Sequence, residues 1–119
     1  MEKPIYDLEE RTFKFAKDVR IFLKTIPKTV ANHEDGRQLI RSFGSVGANY
    51  REANESLGKK DFLMRIRIYR KEAKESQYWL RLIYETNMLE DNISKECQKL
   101  MAEVEELKKI LSSIIEKSK

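Results

Sequence analysis

The stretch that decides the fold is Arg41–Ala53, which reads RSFGSVGANYREA. Apolar residues recur through and beyond it at steps of three or four, the spacing of one helix face. These residues are Leu39, Phe43, Val46, Tyr50, Ala53 and Leu57. Gly44 and Gly47 lie inside this pattern, although an interior glycine costs a helix about 1 kcal/mol relative to alanine. We therefore predict that a neighbouring helix packs closely against the small residues Gly44, Gly47 and Ala48.

Polar side chains stand beside this predicted contact, and a buried polar group without a partner costs about 1–3 kcal/mol. Glu72 and Glu75 share one flank of a later helix, within reach of an arginine on the small-residue helix. Buried polar networks can fix the register of packing without adding stability. The residues that we predict to form such a network are Arg41, Asn49, Glu52, Glu72 and Glu75.

The composition predicts one helical domain outside the membrane. The chain has 119 residues, and its two prolines and four glycines leave little for turns or sheets. No apolar run approaches the roughly 20 residues of a membrane span, and the first residues lack the apolar core of a signal peptide. We expect a cytoplasmic protein with no membrane partner. The single cysteine, Cys97, falls on a helical repeat and is predicted to be a core residue kept reduced.

Four helical segments account for most of the chain. Their predicted bounds are 8–26, 36–57, 60–86 and 93–117. Asp7 followed by Glu10 predicts the first N-cap, and Pro27 ends that helix. The polar stretch from Lys28 to Gly36 is predicted to be a loop that holds the only histidine, His33.

Caps and connections give the topology. Asp35 with Gln38 predicts the cap of the second helix, and Asn92 or Ser94 predicts the cap of the fourth. The connection after Gly58 is short, so the second and third helices are antiparallel neighbours. Since no segment shows a strand pattern, the sequence predicts an all-α, antiparallel up-and-down four-helix bundle.

The third helix carries more apolar surface than a bundle requires. Its core positions are Phe62, Ile66, Tyr69, Ala73, Ser76, Leu80 and Ile83. Beside them runs a second set, the apolar stripe, formed by Met64, Ile68, Trp79 and Leu82 and interrupted by Glu72 and Glu75. The stripe is either the edge of a wide core face or an oligomer interface anchored by Trp79. We favour the interface, because exposed apolar stripes with aromatic residues usually meet a partner.

The same helix also concentrates positive charge. Residues 59–81 contain eight basic and three acidic side chains, whereas the whole chain has a net charge of +4. The side of the helix opposite the core holds the basic row, formed by Lys60, Arg67, Lys71, Lys74 and Arg81. A row of this kind can follow the phosphates of a nucleic acid. The alternative is a solvated helix face without a ligand.

The sequence offers no support for an enzyme. His33 is outside any Glu-x-x-His pair, which the di-iron helical bundles require. Cys97 and His33 have no third residue to complete a nucleophilic site, and Gly44 and Gly47 do not form a phosphate-binding loop. We expect no catalytic residue, metal, cofactor or small-molecule substrate.

Segments of the chain resemble the 23S rRNA intervening sequence proteins, which are small bacterial four-helix bundles. They read DLEERTFKFAKDV, RSFGSVGANYREA, KKDF and KEAKESQYWLRLI and lie in order within residues 7–86. The fourth helix matches only in heptad character. A related group, the accessory variability determinants of diversity-generating retroelements, forms a basic, barrel-like pentamer that engages a reverse transcriptase and nucleic acid. The resemblance implies a homopentamer that contacts RNA or DNA, and it supplies no catalytic residues.

Two functions therefore remain open. One is an oligomeric accessory protein that binds RNA or DNA. The other is a protein-only scaffold that presents a surface to another partner. The basic row favours the first, while the modest net charge of the chain departs from the retroelement group.

Overall fold

The computed structural model of the protein describes residues 7–43, 46, 47, 50 and 58–118. Its helices are α1 (Leu8–Leu23), α2 (Val30–Phe43), α3 (Lys59–Thr86) and α4 (Asp91–Lys117). Val46, Gly47 and Tyr50 are also helical, and the described ranges contain no strand. This confirms the predicted all-α class.

Each helix packs mainly against two others. α1 and α3 both pack between α2 and α4, so α1 and α3 lie diagonally across the bundle. Residues in contact run in opposite directions along each neighbouring pair. Between α1 and the second helical segment, Leu23 meets Gly36 and Thr12 meets Gly47. Between the second segment and the third, Asn32 meets Asn87 and Ser42 meets Ser76. Between α3 and α4, Tyr84 meets Gln98 and Arg70 meets Ser112. The helices therefore form the predicted antiparallel, up-and-down bundle.

The first helix begins as the sequence predicts and ends three residues earlier. The carboxylate of Asp7 accepts a hydrogen bond from the backbone N–H of Glu10 at 3.4 Å. After Leu23 the backbone forms a tighter turn, in which the N–H of Thr25 donates to the carbonyl three residues earlier, that of Phe22, at 2.9 Å. Ile26 is still buried, although it lies in the turn rather than in the helix.

The second helix begins at Val30, six residues before the predicted start at Gly36. Thr29 is its cap: the Thr29 hydroxyl accepts from the N–H of Asn32 at 3.1 Å, and the Thr29 carbonyl accepts from the N–H of His33 at 2.9 Å. The predicted loop and the predicted Asp35 cap were therefore wrong. His33 lies in the helix, and Gly36 is an interior helical residue that faces Leu23.

The fourth helix also begins slightly earlier than predicted. Its N-cap is Glu90, which makes no side-chain cap bond, so neither Asn92 nor Ser94 caps it. The carbonyl of Glu90 accepts from the N–H of Ser94 at 2.7 Å.

Most residues that the helical spacing predicts for the core are buried, whereas Phe62 is half-buried and packs against the core. Those of α3 that are fully buried include Ile66, Ala73, Ser76, Leu80 and Ile83. Across the bundle, the rings of Phe15 and Phe43 meet edge-on with centroids 5.5 Å apart. Cys97 is completely buried, as predicted.

One end of the bundle is held together by two amide side chains. Asn32 Nδ2 donates to Asn87 Oδ1 at 2.8 Å, and Asn87 Nδ2 donates back to Asn32 Oδ1 at 2.9 Å. The same nitrogens also donate to the carbonyls of Pro27 and Ile83, each at 2.8 Å. The amide pair thereby joins the α1–α2 turn to the α3–α4 turn.

Candidate nucleic-acid interface and self-association surface

The basic row lies on the exposed side of α3. All five of its residues are exposed, because they project away from the buried positions of the same helix. Arg81 is paired, with its Nε donating to Glu85 Oε2 at 2.9 Å. Within the described part of the chain, Lys60, Arg67, Lys71 and Lys74 form no ion pair. From Lys60 to Arg81 the row extends over about 30 Å of helix.

The flank of α3 that faces α4 is less suited to binding an anion than the basic row is, because its cations already have partners. Arg70 is half-buried and donates to the Ser112 hydroxyl at 3.3 Å. On α4, Lys108 is paired with Glu105 at 3.1 Å and also donates to Gln77. Exposed cations without an ion pair among the described residues therefore follow the outer side of α3, and Lys59 lies at the N-terminal end of this row.

The apolar stripe divides into an exposed and a half-buried part. Met64 and Ile68 remain 54% and 45% exposed, although both are large apolar residues. Trp79 and Leu82 are half-buried, and Trp79 packs against the core. The exposed ring of Tyr78 meets the ring of Trp79 edge-on, with centroids 5.0 Å apart. A single protomer thus leaves an aromatic and aliphatic surface in water.

Two carboxylates lie in the middle of the stripe. Glu75 is exposed, and Glu72 is half-buried. Removal of water from Glu72 raises the pKa of its carboxyl group, the neighbouring Glu75 raises this pKa further, and Lys71 partly offsets the effect. Neither carboxylate forms an ion pair with any residue that the structure describes.

The predicted polar network is not assembled among the described residues. Arg41 is exposed, and no hydrogen bond or ion pair within the described ranges joins it to Glu72 or Glu75. Asn49 and Glu52 lie outside those ranges.

Cross-helix polar contacts occur instead at positions that sequence reasoning did not connect. Ser42 and Ser76 share a buried hydroxyl hydrogen bond of 2.8 Å, and Asn32 binds Asn87. Arg11 on α1 binds Glu103 on α4 through two hydrogen bonds of 3.0 and 2.8 Å. In the sequence, only Ser76 indicated such a contact. It occupies a core position of the third helix, and a buried hydroxyl requires a hydrogen-bond partner.

Gly47 lies where α1 passes close to the backbone. A β-carbon added at Gly47 would be 2.8 Å from Thr12 Oγ1 and 3.6 Å from the backbone nitrogen of Phe13. The two other residues of the predicted close packing, Gly44 and Ala48, lie outside the described residues.

The described residues contain neither an assembled metal site nor an activated thiol. No group of three or more histidine, cysteine, aspartate or glutamate side chains in the described ranges could hold a metal ion. Burial raises the pKa of the Cys97 thiol to about 11, which removes it as a nucleophile near neutral pH. In the same ranges, no helix has the length and apolarity to cross a membrane.

Comparison with known proteins gives a consistent picture. The family described as 23S rRNA-intervening sequence protein matches residues 6–113. A crystal structure of a protein of unknown function from the S23 ribosomal protein family of Bacteroides thetaiotaomicron is 29% identical, with a TM-score of 0.72. The alignment covers 90% of this chain and 96% of that chain. No curated protein matches significantly.

Proposed function

Since this chain belongs to the 23S rRNA-intervening sequence protein family, we propose that it is a non-enzymatic cytoplasmic protein that self-associates through the apolar stripe and binds RNA or DNA along the basic row. The observation that carries the proposal is the pair of surfaces on α3. Four exposed cations without an ion pair among the described residues lie on one side, and exposed Met64 and Ile68 lie on another.

Binding to phosphates gives a role to these exposed cations, which form no ion pair among the described residues. Folding leaves the charges of Arg67, Lys71 and Lys74 in water, so they can replace the counterions of a nucleic acid. One helix neutralises only a few phosphates, and a single protomer would therefore bind weakly. Several copies in one assembly multiply these contacts and raise the apparent affinity.

Self-association explains the second surface. When a folded protomer leaves several large apolar side chains exposed side by side, the patch usually marks an interface with another protein. Trp79 is suited to be the anchor, because a large aromatic at an interface centre often contributes more than about 2 kcal/mol. The resemblance to the retroelement accessory proteins points to a pentamer.

Charge reversal tests the nucleic-acid proposal. The triple variant Arg67→Glu, Lys71→Glu, Lys74→Glu should lose binding to a structured RNA in fluorescence anisotropy. Wild-type binding should be largely independent of sequence and should weaken steeply as salt is raised. The matched control reverses Lys14, Lys95 and Lys99, three exposed cations that already have carboxylate partners, and it should bind as the wild type does.

Sedimentation tests self-association. Wild-type protein should sediment as an oligomer, and Trp79→Ala should shift it towards smaller species. Val30→Ala is the control, because Val30 is 88% exposed but belongs to the α1–α2 end of the bundle. A monomeric wild type at micromolar concentration would contradict the proposal.

The protein-only scaffold is the second candidate, and the Arg81–Glu85 pair favours it by neutralising one end of the basic row. Identical RNA-binding isotherms for the wild type and the triple variant would make the scaffold the better description.

A further inference from the structure

A further exposed surface lies on α1 and extends to its C-cap, Lys24. Phe13 is 61% exposed, and Lys17, Arg20 and Lys24 follow it at the spacing of one helix face. We name these residues the α1 outer face. All three cations are exposed, and within the described ranges none of them has a carboxylate at ion-pair distance.

Folding does not require these residue types. The side of α1 that enters the core carries Phe15, Val19 and Phe22. The side towards α4 is already neutralised, since Arg11 pairs with Glu103 and Lys14 pairs with Asp18. This face therefore combines an exposed phenylalanine with cations that no described carboxylate neutralises, which leaves it open to a partner of opposite charge.

The apolar stripe on α3 has the opposite composition. Met64 and Ile68 precede its two carboxylates and Trp79 follows them. No cation of the described residues forms an ion pair with Glu72 or Glu75, although Lys71 partly offsets the negative charge around Glu72. The charges of the two surfaces are therefore complementary, with cations beside an aromatic ring on α1 and carboxylates among apolar side chains on α3.

We propose that the apolar stripe of one protomer docks on the α1 outer face of a second copy, with Glu72 and Glu75 paired to Lys17 and Arg20. This inference rests on the self-association proposed above and names its partner surface. Because α1 and α3 lie diagonally across the bundle, one protomer can use both surfaces at once. Such head-to-tail contacts close into a ring or extend as a filament.

A symmetric contact between two stripes fits the charges less well. It would bring Glu72 and Glu75 of both copies to the same centre, and like charges at close range disfavour association. The half-burial of Glu72 already raises the pKa of its carboxyl group within one protomer, so further desolvation without a cation would be unfavourable.

A charge-swap cycle tests the pairing by sedimentation of the full chain. The variant Lys17→Glu with Arg20→Glu should weaken association by roughly tenfold or more, and so should Glu72→Lys with Glu75→Lys. The chain that carries all four changes should recover association, since every contact regains opposite charges. Reversal of Lys95 and Lys99 on α4 is the matched control and should have no effect.

Cross-linking of the unaltered protein tests the same contact without mutation. A carbodiimide joins a lysine to a carboxylate only when they touch, and mixing isotope-labelled with unlabelled chains distinguishes links between copies. Links between Lys17 of one copy and Glu72 or Glu75 of another are expected.

The outcomes separate the two proposals. An oligomer that dissociates with Trp79→Ala but is unaffected by reversal at Lys17 and Arg20 would overturn the α1–α3 pairing and leave self-association through the stripe intact. The absence of recovery in the fourfold variant, together with the absence of the Lys17 links, would also overturn the pairing. A monomeric wild type would overturn both proposals.

Discussion

Gly47 faces Thr12 so closely that a β-carbon at position 47 would lie 2.8 Å from the Thr12 hydroxyl oxygen. The hydroxyl is not free to turn away without loss, because it donates to the carbonyl of Leu8 at 2.6 Å inside the core. The helical glycine is therefore required by the neighbouring helix rather than by its own backbone.

Gly47→Leu should lower the free energy of unfolding by about 1–3 kcal/mol, because the larger side chain overpacks the contact with α1. Gly47→Ala should also destabilise, although alanine is the better helix former by about 1 kcal/mol. Circular-dichroism melts measure both effects. Adding Thr12→Ala to Gly47→Ala removes the oxygen and should recover part of the loss. A raised melting midpoint for either single variant would contradict close packing at this glycine.

Asn87→Asp should lower the free energy of unfolding by about 1–3 kcal/mol, because it removes both amide hydrogens that bind Asn32 and Ile83. Asn92→Asp is the control: Asn92 is exposed in the first turn of α4, where a negative charge is favourable. Chemical denaturation compares the two. Equal stability of Asn87→Asp and wild type would mean that water replaces the amide pair without cost.

The Cys97 thiol should be unreactive in the folded protein. With a pKa of about 11, roughly one molecule in a thousand carries the thiolate at about pH 8. An aromatic disulfide reagent should therefore react only after unfolding in guanidinium. Met88→Cys is the control, because Met88 is fully exposed and a cysteine there should react at once. Rapid reaction of the folded wild type would place Cys97 outside the core.

Glu72→Gln should stabilise the isolated protomer at neutral pH. Because the folded state raises the pKa of Glu72, it binds a proton more tightly than the unfolded chain does. The stability from this group is complete below the ordinary carboxyl pKa and is lost as the pH rises through the folded value. The melting midpoints of variant and wild type should agree at about pH 3 and separate at about pH 7.

The comparison of Glu72→Gln with the wild type requires a protein concentration low enough that sedimentation shows single protomers. In an assembly built as proposed, the sign is opposite, because Glu72→Gln removes a carboxylate that faces a cation of the next copy. A variant that is less stable than the wild type as a protomer at neutral pH would contradict the assigned pKa shift.

The sequence predicts α3 and α4 within two residues at each end, because both helices are long and strictly periodic. It misplaces the start of α2, where Asn32, Asp35 and Gly36 have the composition of a loop. Two tertiary contacts override that composition. Asn32 is bound by Asn87, the C-cap of α3, and Gly36 meets the side chain of Leu23.

The candidate surfaces could be predicted only in part. The basic row and the apolar stripe follow from the helical spacing within α3, and the exposure of Arg67 and Met64 agrees with it. The α1 outer face was not predicted, because one phenylalanine outside the core spacing of the first helix does not by itself show whether its side chain is covered. Only the packing of α1 shows that this ring remains in water.

The burial of Cys97 has a practical consequence. It is the only cysteine of the chain, and it is enclosed by the core, so a cysteine introduced at Met88 would be the one site that takes up a thiol-reactive dye. Each chain would then carry one fluorophore at the α3–α4 turn. The number of photobleaching steps in a single immobilised particle would count its copies directly.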